Sequence, residues 1–382
     1  MSKLEELIQE FCPNGVEFKA IKEEYQRLKG TPITAGKMKE IQSDGGDIRI
    51  FAGGKTVIDA HEKDIPNANI TRVPAVLVQS RGVIDAVYYE RPFTFKNEMW
   101  AYTHKEKTSV KYLYYVLKNN IERFREAASG MGSLPQISLR VTEDFVMPLP
   151  PLPVQREIVR ILDSFTELTA ELTAELTAEL TARRKQYEYY RDTLFTFTGE
   201  IVFKTLPEIS ENCDRQRKPI TKENRQAGVY PYYGASGVVD HVADYIFDGD
   251  YLLVSEDGAN LLARSTPIAF SISGKNWVNN HAHVLKFTFA ELQKYVEIYL
   301  NSIDLSKYIS GGAQPKLNQD NLNRIPIPVP SDDEVKRIVG VLTRFDTLCN
   351  DLTSGLPAEI EARQKQYEYY RDKLLTFKEA SV

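Results

Sequence analysis

The chain has 382 residues, 42% hydrophobic and 26% charged, with 48 basic against 53 acidic side chains and a formal net charge of −5. That length suits two or three domains with real cores, and the acidic balance excludes a uniformly basic nucleic-acid coat while leaving room for local basic faces. Cys12, Cys213 and Cys349, with no CxxC pair, exclude a disulfide scaffold or a cysteine zinc site and point to a reducing compartment. Met1 to Glu10 has none of the pattern of a signal peptide, and no apolar run approaches the roughly 20 residues of a bilayer span, so a soluble, cytoplasmic protein with no membrane contact is expected.

Residues 14–147 open with segments that read as strands, Asp47–Ala52, Ala75–Val78 and Val83–Tyr89, followed by a helix-like stretch at Val110–Ala128. From Val154, apolar residues fall at 158, 161, 165, 168, 172, 176 and 180, then at 187, 190, 194 and 197, a spacing of three and four that marks one face of a long helix. Pro150, Pro151 and Pro153 are a stiff start and Gly199 a terminator, giving a rod of roughly 65 Å. Between Thr169 and Leu180 this rod carries TAEL three times in tandem, either low-complexity helical filler or a spacer. Residues 199–330 again look strand-rich, at Tyr245–Val254, Pro267–Ile272 and His283–Phe287, with a helix-like stretch at Phe289–Tyr308. A second rod is predicted from about Asp333 to Phe377, kinked at Pro357.

The second half repeats the first. KQYEYYRD occurs at 185–192 and 365–372, an offset of 180, and Ile158, Val159, Leu162, Phe165 and Leu168 match Ile338, Val339, Leu342, Phe345 and Leu348 in the same register. Pro135, Pro148 and Pro150 match Pro315, Pro328 and Pro330, and the intervening parts echo faintly, as in FAGGKTVID at 51–59 and YYGASGVVD at 232–240. The expected fold is therefore α+β: two similar mixed domains, 1–150 and 199–330, separated by helices at 151–198 and 331–382 that pair as an antiparallel coiled coil, with an internal pseudo-twofold. The packing positions are Leu162, Phe165, Leu168, Leu172, Leu176, Leu180, Tyr187, Tyr190 and Leu194 on the first rod. On the second they are Leu342, Phe345, Leu348, Leu352, Leu356, Ile360, Tyr367, Tyr370 and Leu374.

Motifs of chemistry are missing. Gly30 to Lys37 is one residue too long for a phosphate loop and Met38 replaces its hydroxyl. No DPPY- or NPPF-type motif of a DNA aminomethylase occurs, and the ExK triplets at Glu17 and Glu334 lack the upstream acid of a metal-dependent nuclease. His281 and His283 share one strand face without a third ligand, Gly53-Gly54 is only a turn signal, and no nucleophile stands with its base. Neither a catalytic centre nor a metal site is predicted.

Two divergent domains, each followed by a long helix of similar sequence, with tandem TAEL repeats in the first helix, resemble the DNA specificity (S) subunit of type I restriction–modification enzymes. The resemblance covers nearly the whole chain, and its most specific carriers are the Ser-Gly to Pro-x-Pro endings at 129–150 and 310–330 and the paired KQYEYYRD helices. It implies a non-catalytic subunit whose domains each read one half of a split, asymmetric sequence in double-stranded DNA. It implies helices that set the gap and dock two methyltransferase (M) subunits, which carry S-adenosylmethionine, and restriction (R) subunits that join them; no cofactor is expected in this chain. Loop-placed donors are the candidate DNA contacts: Lys29, Thr31, Lys37, Lys39, Lys55, Ser80, Arg81 and Gln136 in the first domain. In the second they are Arg215, Arg217, Lys218, Lys222, Ser236, Asn260, Asn279, Asn280, Gln314 and Lys316. Arg191 and Arg371 are candidates for partner docking. The competing readings are a structural coiled-coil scaffold without DNA preference and an enzyme that acts on DNA alone.

Overall fold

The structure is a computed structural model that describes residues 2–129, 135–312, 314–351 and 354–380. Contacts divide it into two units, residues 1–175 with 360–382, and 176–359.

In the first unit the chain opens with α1 (Lys3–Phe11), an element absent from the sequence expectations, capped by Ser2 and Glu5 in a reciprocal pair of hydrogen bonds. There follow β1 (Glu17–Ala20), α2 (Ile21–Glu24), β2 (Gln26–Leu28), α3 (Ala35–Ile41), β3 (Ile48–Phe51), β4 (Val57–Ala60), β5 (Ala75–Gln79), β6 (Asp85–Tyr89), β7 (Phe93–Phe95) and β8 (Trp100–Thr103). The unit continues through α4 (Lys107–Asn119), α5 (Ile121–Glu126), α6 (Leu139–Glu143) and β9 (Val146–Leu149). The main sheet has the order β2-β8-β5-β6 and is antiparallel throughout; a smaller sheet, β4-β3-β7, includes the parallel pair β3–β7, and β1 pairs with β9. All five residues of β5 are buried because both faces are covered, which explains its unbroken apolar run Ala75–Val78.

α7 (Leu152–Leu194) crosses from the first unit to the second. The second unit then adds β10 (Val202–Lys204), α8 (Leu206–Ile209), β11 (Ser210–Asn212), β12 (Ala227–Gly234), β13 (Gly237–Val242), β14 (Phe247–Asp248), β15 (Tyr251–Ser255), α9 (Asn260–Ala263), β16 (Ala269–Ile272), β17 (Lys275–Val278) and β18 (Ala282–Phe287). α10 (Ala290–Ser302), α11 (Gln319–Asn323), β19 (Ile327–Val329) and α12 (Asp332–Asn350) complete it, and α13 (Leu356–Leu375) returns to the first unit. The sheet order β11-β18-β15-β16, the parallel pair β12–β17 and the pair β10–β19 repeat the first unit, with β14 added on β17 as an extra strand of the smaller sheet. One device recurs with them: Tyr112 donates to the Pro148 carbonyl at 3.1 Å and Tyr295 to the Pro328 carbonyl at 2.8 Å, tying helices α4 and α10 to equivalent strands.

Each core includes the helix that follows its domain. Val154, Ile158 and Leu162 are buried in the first, and Val335, Ile338 and Leu342 in the second. Each core is also closed by the end of the other rod, with Leu374, Leu375 and Phe377 packing on the first and Tyr187, Leu194, Phe195 and Phe197 on the second. The rods pair antiparallel: Phe165 meets Tyr370 edge-on and Thr166 meets Tyr367 in the first unit, and Tyr190 meets Phe345 in the second.

Several helical expectations need correction. The second rod is two helices rather than one kinked at Pro357; α12 ends at Asn350 and α13 begins at Leu356, so Pro357 stands in the first turn of α13, where its missing N–H costs nothing. α7 ends at Leu194, so Gly199 lies five residues beyond it and terminates nothing. Leu168 is 60% exposed while Leu176 is buried. At about 100° per residue, Leu172 and Leu176 lie within about 20° of the Phe165 direction, whereas Leu168 and Leu180 sit about 60° to either side. Leu168 therefore only edges a groove of about 230 Å³ shared with Leu172, Tyr367 and Tyr370. Tyr190 and Tyr370 pack with one ring face open, Leu348 and Ile360 are half-buried, Leu356 is buried, and Leu352 lies outside the described residues.

Candidate nucleic-acid interface

In the first unit, three segments meet at one end of the main sheet: the exit of β2 (Lys29, Gly30), the entry to β8 (Asn97, Glu98) and the exit of β5 (Ser80, Arg81, Gly82). The Ser80 hydroxyl donates to the Glu98 carbonyl, the Gly54 N–H to the Arg81 carbonyl at 3.3 Å, and the Ile137 N–H to the Ser80 carbonyl at 3.0 Å. Arg81 and Gln136 form a bridge, and the Asn69 amide donates to the Gly30 carbonyl at 2.7 Å. Beside these loops runs a groove of about 440 Å³ lined by Arg27, Lys29, Asn69, Asn97 and Trp100.

The second unit builds the same end from different residues. The Leu317 N–H donates to the Glu256 carbonyl at 2.7 Å and the Gly258 N–H to the Pro315 carbonyl at 3.1 Å, the counterparts of Ile137 on Ser80 and of Gly82 on Pro135. Asp257 bridges Lys316 where Arg81 bridges Gln136, so equivalent turns carry side chains of opposite charge. The Ser255 hydroxyl donates to the Ala235 carbonyl, which holds the β12–β13 turn against this end as Gly53–Lys55 is held in the first unit.

A charged network underlies the second cluster. Arg217 donates to Glu256 at 2.8 Å and to the Ala282 carbonyl at 2.7 Å and lies 3.3 Å from Asp214, while Lys316 reaches Glu256 at 3.3 Å. His283, 1% exposed, faces Asp214 through Nδ1 at 2.6 Å and the Leu317 carbonyl through Nε2 at 2.8 Å. Both partners accept, an arrangement satisfied when both ring nitrogens carry protons. Burial pushes the Asp214 carboxyl up, but His283, the Val284 N–H and Arg217 outweigh it and hold it below the usual range. Glu256 is likewise raised by burial but lowered on balance by Arg217, His283 and Lys316.

The candidate DNA contacts separate accordingly. Lys29, Arg81 and Gln136 gather at the first end with Lys55, and Ser236, Asn279, Asn280, Gln314 and Lys316 at the second. Asn279 and four others are occupied by contacts inside the fold. Thr31 is buried against Thr94, and Ser80 is fully buried. Arg217 is held by carboxylates, Asn260 closes the 265–266 loop, and the Asn279 side chain accepts the His281 N–H. Lys37 and Lys39 lie on α3, Lys37 paired with Glu40. Arg215 and Lys222 sit in short 3₁₀ turns, and the Lys218 backbone is bonded to Val278 and Trp277. Sequence reasoning missed Asn69, Asn97, Trp100, Glu256 and Asp257, and weighed His281 only as a metal ligand. Its partner is 24 residues away, and no local pattern joins them. Of the expected docking arginines, Arg191 folds onto Asp192 and Tyr187 and Arg371 onto Asn119 and Tyr367, while beside them Tyr189 and Tyr369 are 67% and 64% exposed.

A fold of two equivalent α+β units joined through long helices, each ending in a loop cluster of the same backbone and unlike side chains, defines a twin recognition protein. The type I restriction modification DNA specificity domain matches the chain twice, at residues 20–182 and 199–362, and the chain belongs to this family. The type I restriction enzyme EcoR124I/EcoR124II specificity subunit of Escherichia coli is 34% identical over 300 residues, covering 71% of this chain and 72% of that protein. The fold is that of the type I restriction–modification S subunit from M. genitalium, with a TM-score of 0.53 and 18% identity over 94% of this chain and 96% of the other. It is also that of the HsdS subunit from Thermoanaerobacter tengcongensis, with a TM-score of 0.52 and 13% identity over 96% and 97%.

Proposed function

We propose that this chain is the non-catalytic DNA-recognition subunit of a type I restriction–modification enzyme, each globular domain reading one half of a bipartite, asymmetric duplex target. The observation that carries it is the recurrence of one loop cluster at equivalent sheet ends with different side chains, Arg81 and Gln136 in one unit and Asp257 and Lys316 in the other. Equal frames with unequal hydrogen-bonding groups are what two unlike half-sites require, because base edges are distinguished by their donor and acceptor patterns. A coiled-coil scaffold gives no reason for that difference. The net charge of −5 suits a reader whose partners supply part of the phosphate contact. Those partners are two methyltransferase subunits carrying S-adenosylmethionine, docked on the paired helices, and restriction subunits that join them in the cytoplasm.

Methylome sequencing of cells expressing this chain with its cognate methyltransferase, against cells with the methyltransferase alone, tests the reading. A bipartite asymmetric methylated motif that appears only with the chain is the expected result. A motif present without the chain, or a purified chain that nicks or methylates DNA unaided, overturns it.

A further inference from the structure

We infer that His281, oriented by Asp257, is a specificity-determining residue of the second domain and contacts a base edge of the half-site read there; the inference rests on the DNA-recognition reading above. His281 is fixed at three points and still has an open hydrogen-bonding atom among the described residues. Its backbone N–H donates to the Asn279 side chain at 2.8 Å and its carbonyl accepts from the Glu256 N–H at 2.8 Å. Its Nδ1 lies 2.8 and 3.0 Å from the two Asp257 carboxylate oxygens. The ring is 48% exposed, and Nε2 has no hydrogen-bond partner among the described residues. A group that is held rigidly and left unsatisfied pays little entropy on binding, which is the arrangement of a recognition contact.

The support beneath it is built to the same end. Glu256, next to Asp257, is locked between Arg217 and Lys316, and His283, two residues after His281 and inside β18, is locked between Asp214 and the Leu317 carbonyl. Two cationic side chains near this end are engaged, Arg217 with carboxylates and Lys316 with Glu256, and Asn279 accepts the His281 N–H through its side-chain oxygen. Asp257 accepts from Nδ1–H, so in the neutral ring Nε2 is an acceptor, and its complement in a major groove is the exocyclic amino group of adenine or cytosine. Arg81, at the turn equivalent to Asp257, carries only donors, so the first domain offers the opposite polarity.

The test uses the full chain with its methyltransferase in cells, with methylome sequencing of wild type, His281→Ala, His281→Gln, Asp257→Asn and Arg81→Ala. In the wild-type motif, one position of the half-site read by the second domain is expected to carry adenine or cytosine. His281→Ala should relax preference at that position by roughly tenfold, while the other half-site and the gap keep their sequence and length. Asp257→Asn should relax the same position less, since the ring remains but its tautomer is freed, and Arg81→Ala should alter the opposite half-site alone. Unchanged preference in both His281 variants overturns the assignment, as does a loss spread evenly over both half-sites in His281→Gln. Either failure leaves the wild-type bipartite motif standing, whereas absence of a chain-dependent motif in wild type defeats the recognition reading itself.

Discussion

Asp214 shows how a single carboxylate couples the fold to the reading surface. Its side chain is 7% exposed, and it accepts from the Val284 N–H at 2.8 Å as well as facing His283 and Arg217. Replacing it with Asn keeps the shape but removes a buried charge that faces Arg217 and His283, while Arg217 keeps Glu256 at 2.8 Å, a loss of roughly 1–3 kcal/mol for buried polar groups left poorly satisfied. Asp214 and Glu256 are both held below their ordinary range by these partners. A carboxylate depressed in the folded state contributes stability at pH above its unfolded value, near 4, and that contribution is lost as pH falls through the folded value. The second unit should therefore hold its melting temperature from neutral pH down to about 4 and lose it below. Asp214→Asn should melt lower at pH 7 with a shallower acid decline. Calorimetric melts across that range check both, and an Asn variant as acid-sensitive as wild type removes Asp214 from the account. None of this network is legible in sequence, because Asp214, Glu256 and His283 come from three separate segments and each reads alone as an ordinary polar residue.

The helical elements were legible where the apolar period repeats and obscure where the backbone departs from it. Ile158 and Ile338 lie on the expected apolar stripes, whereas Leu162 and Leu342, expected to pack the coiled coil, are buried in the domain cores with Val159 and Val339. The strands of the main sheets were visible at β5 and β15, which are buried on both faces, whereas three-residue strands such as β2 and β7 carry too short a pattern. α1 escaped because its nine residues depend on Ser2 and Glu5 as much as on Leu4. The break between α12 and α13 was assigned to proline, but Gly355 does more to set it. A Cβ built there lies 2.7 Å from the Thr347 and Asp351 carbonyl oxygens and 2.8 Å from that of Leu348. Gly355→Ala should therefore cost roughly 1–3 kcal/mol by overpacking the end of α12. Gly340, inside α12 with nothing within 4 Å of its Cβ position, gives the opposite sign: Gly340→Ala should stabilise by up to about 1 kcal/mol through helix propensity. Thermal melts of the two variants are the check, and equal shifts of one sign contradict the steric account.

At the scale of the whole molecule, α7 and α13 each belong to both units, and in α7 TAEL occupies the stretch where one unit gives way to the other. Ring contacts stand on either side of it, Phe165 with Tyr370 in the first unit and Tyr190 with Phe345 in the second. By the repeat offset of 180, the end of α12 at Asn350 and the start of α13 at Leu356 correspond to positions 170 and 176, within the TAEL stretch. Deleting Thr173–Leu176 removes four residues, about 6 Å of helix, and changes the rotation about the axis by only about 40° beyond a full turn. A base-pair step advances about 3.4 Å and turns by roughly 35°, so the loss corresponds to one to two base pairs of translation and about one of rotation. The deletion should shorten the gap in the methylated motif by one to two base pairs and leave both half-site sequences as they were, because no residue of either loop cluster is touched. Methylome sequencing of the deletion beside the wild type reads this directly. Altered half-site bases with an unchanged gap would remove α7 as the ruler and return TAEL to helical filler.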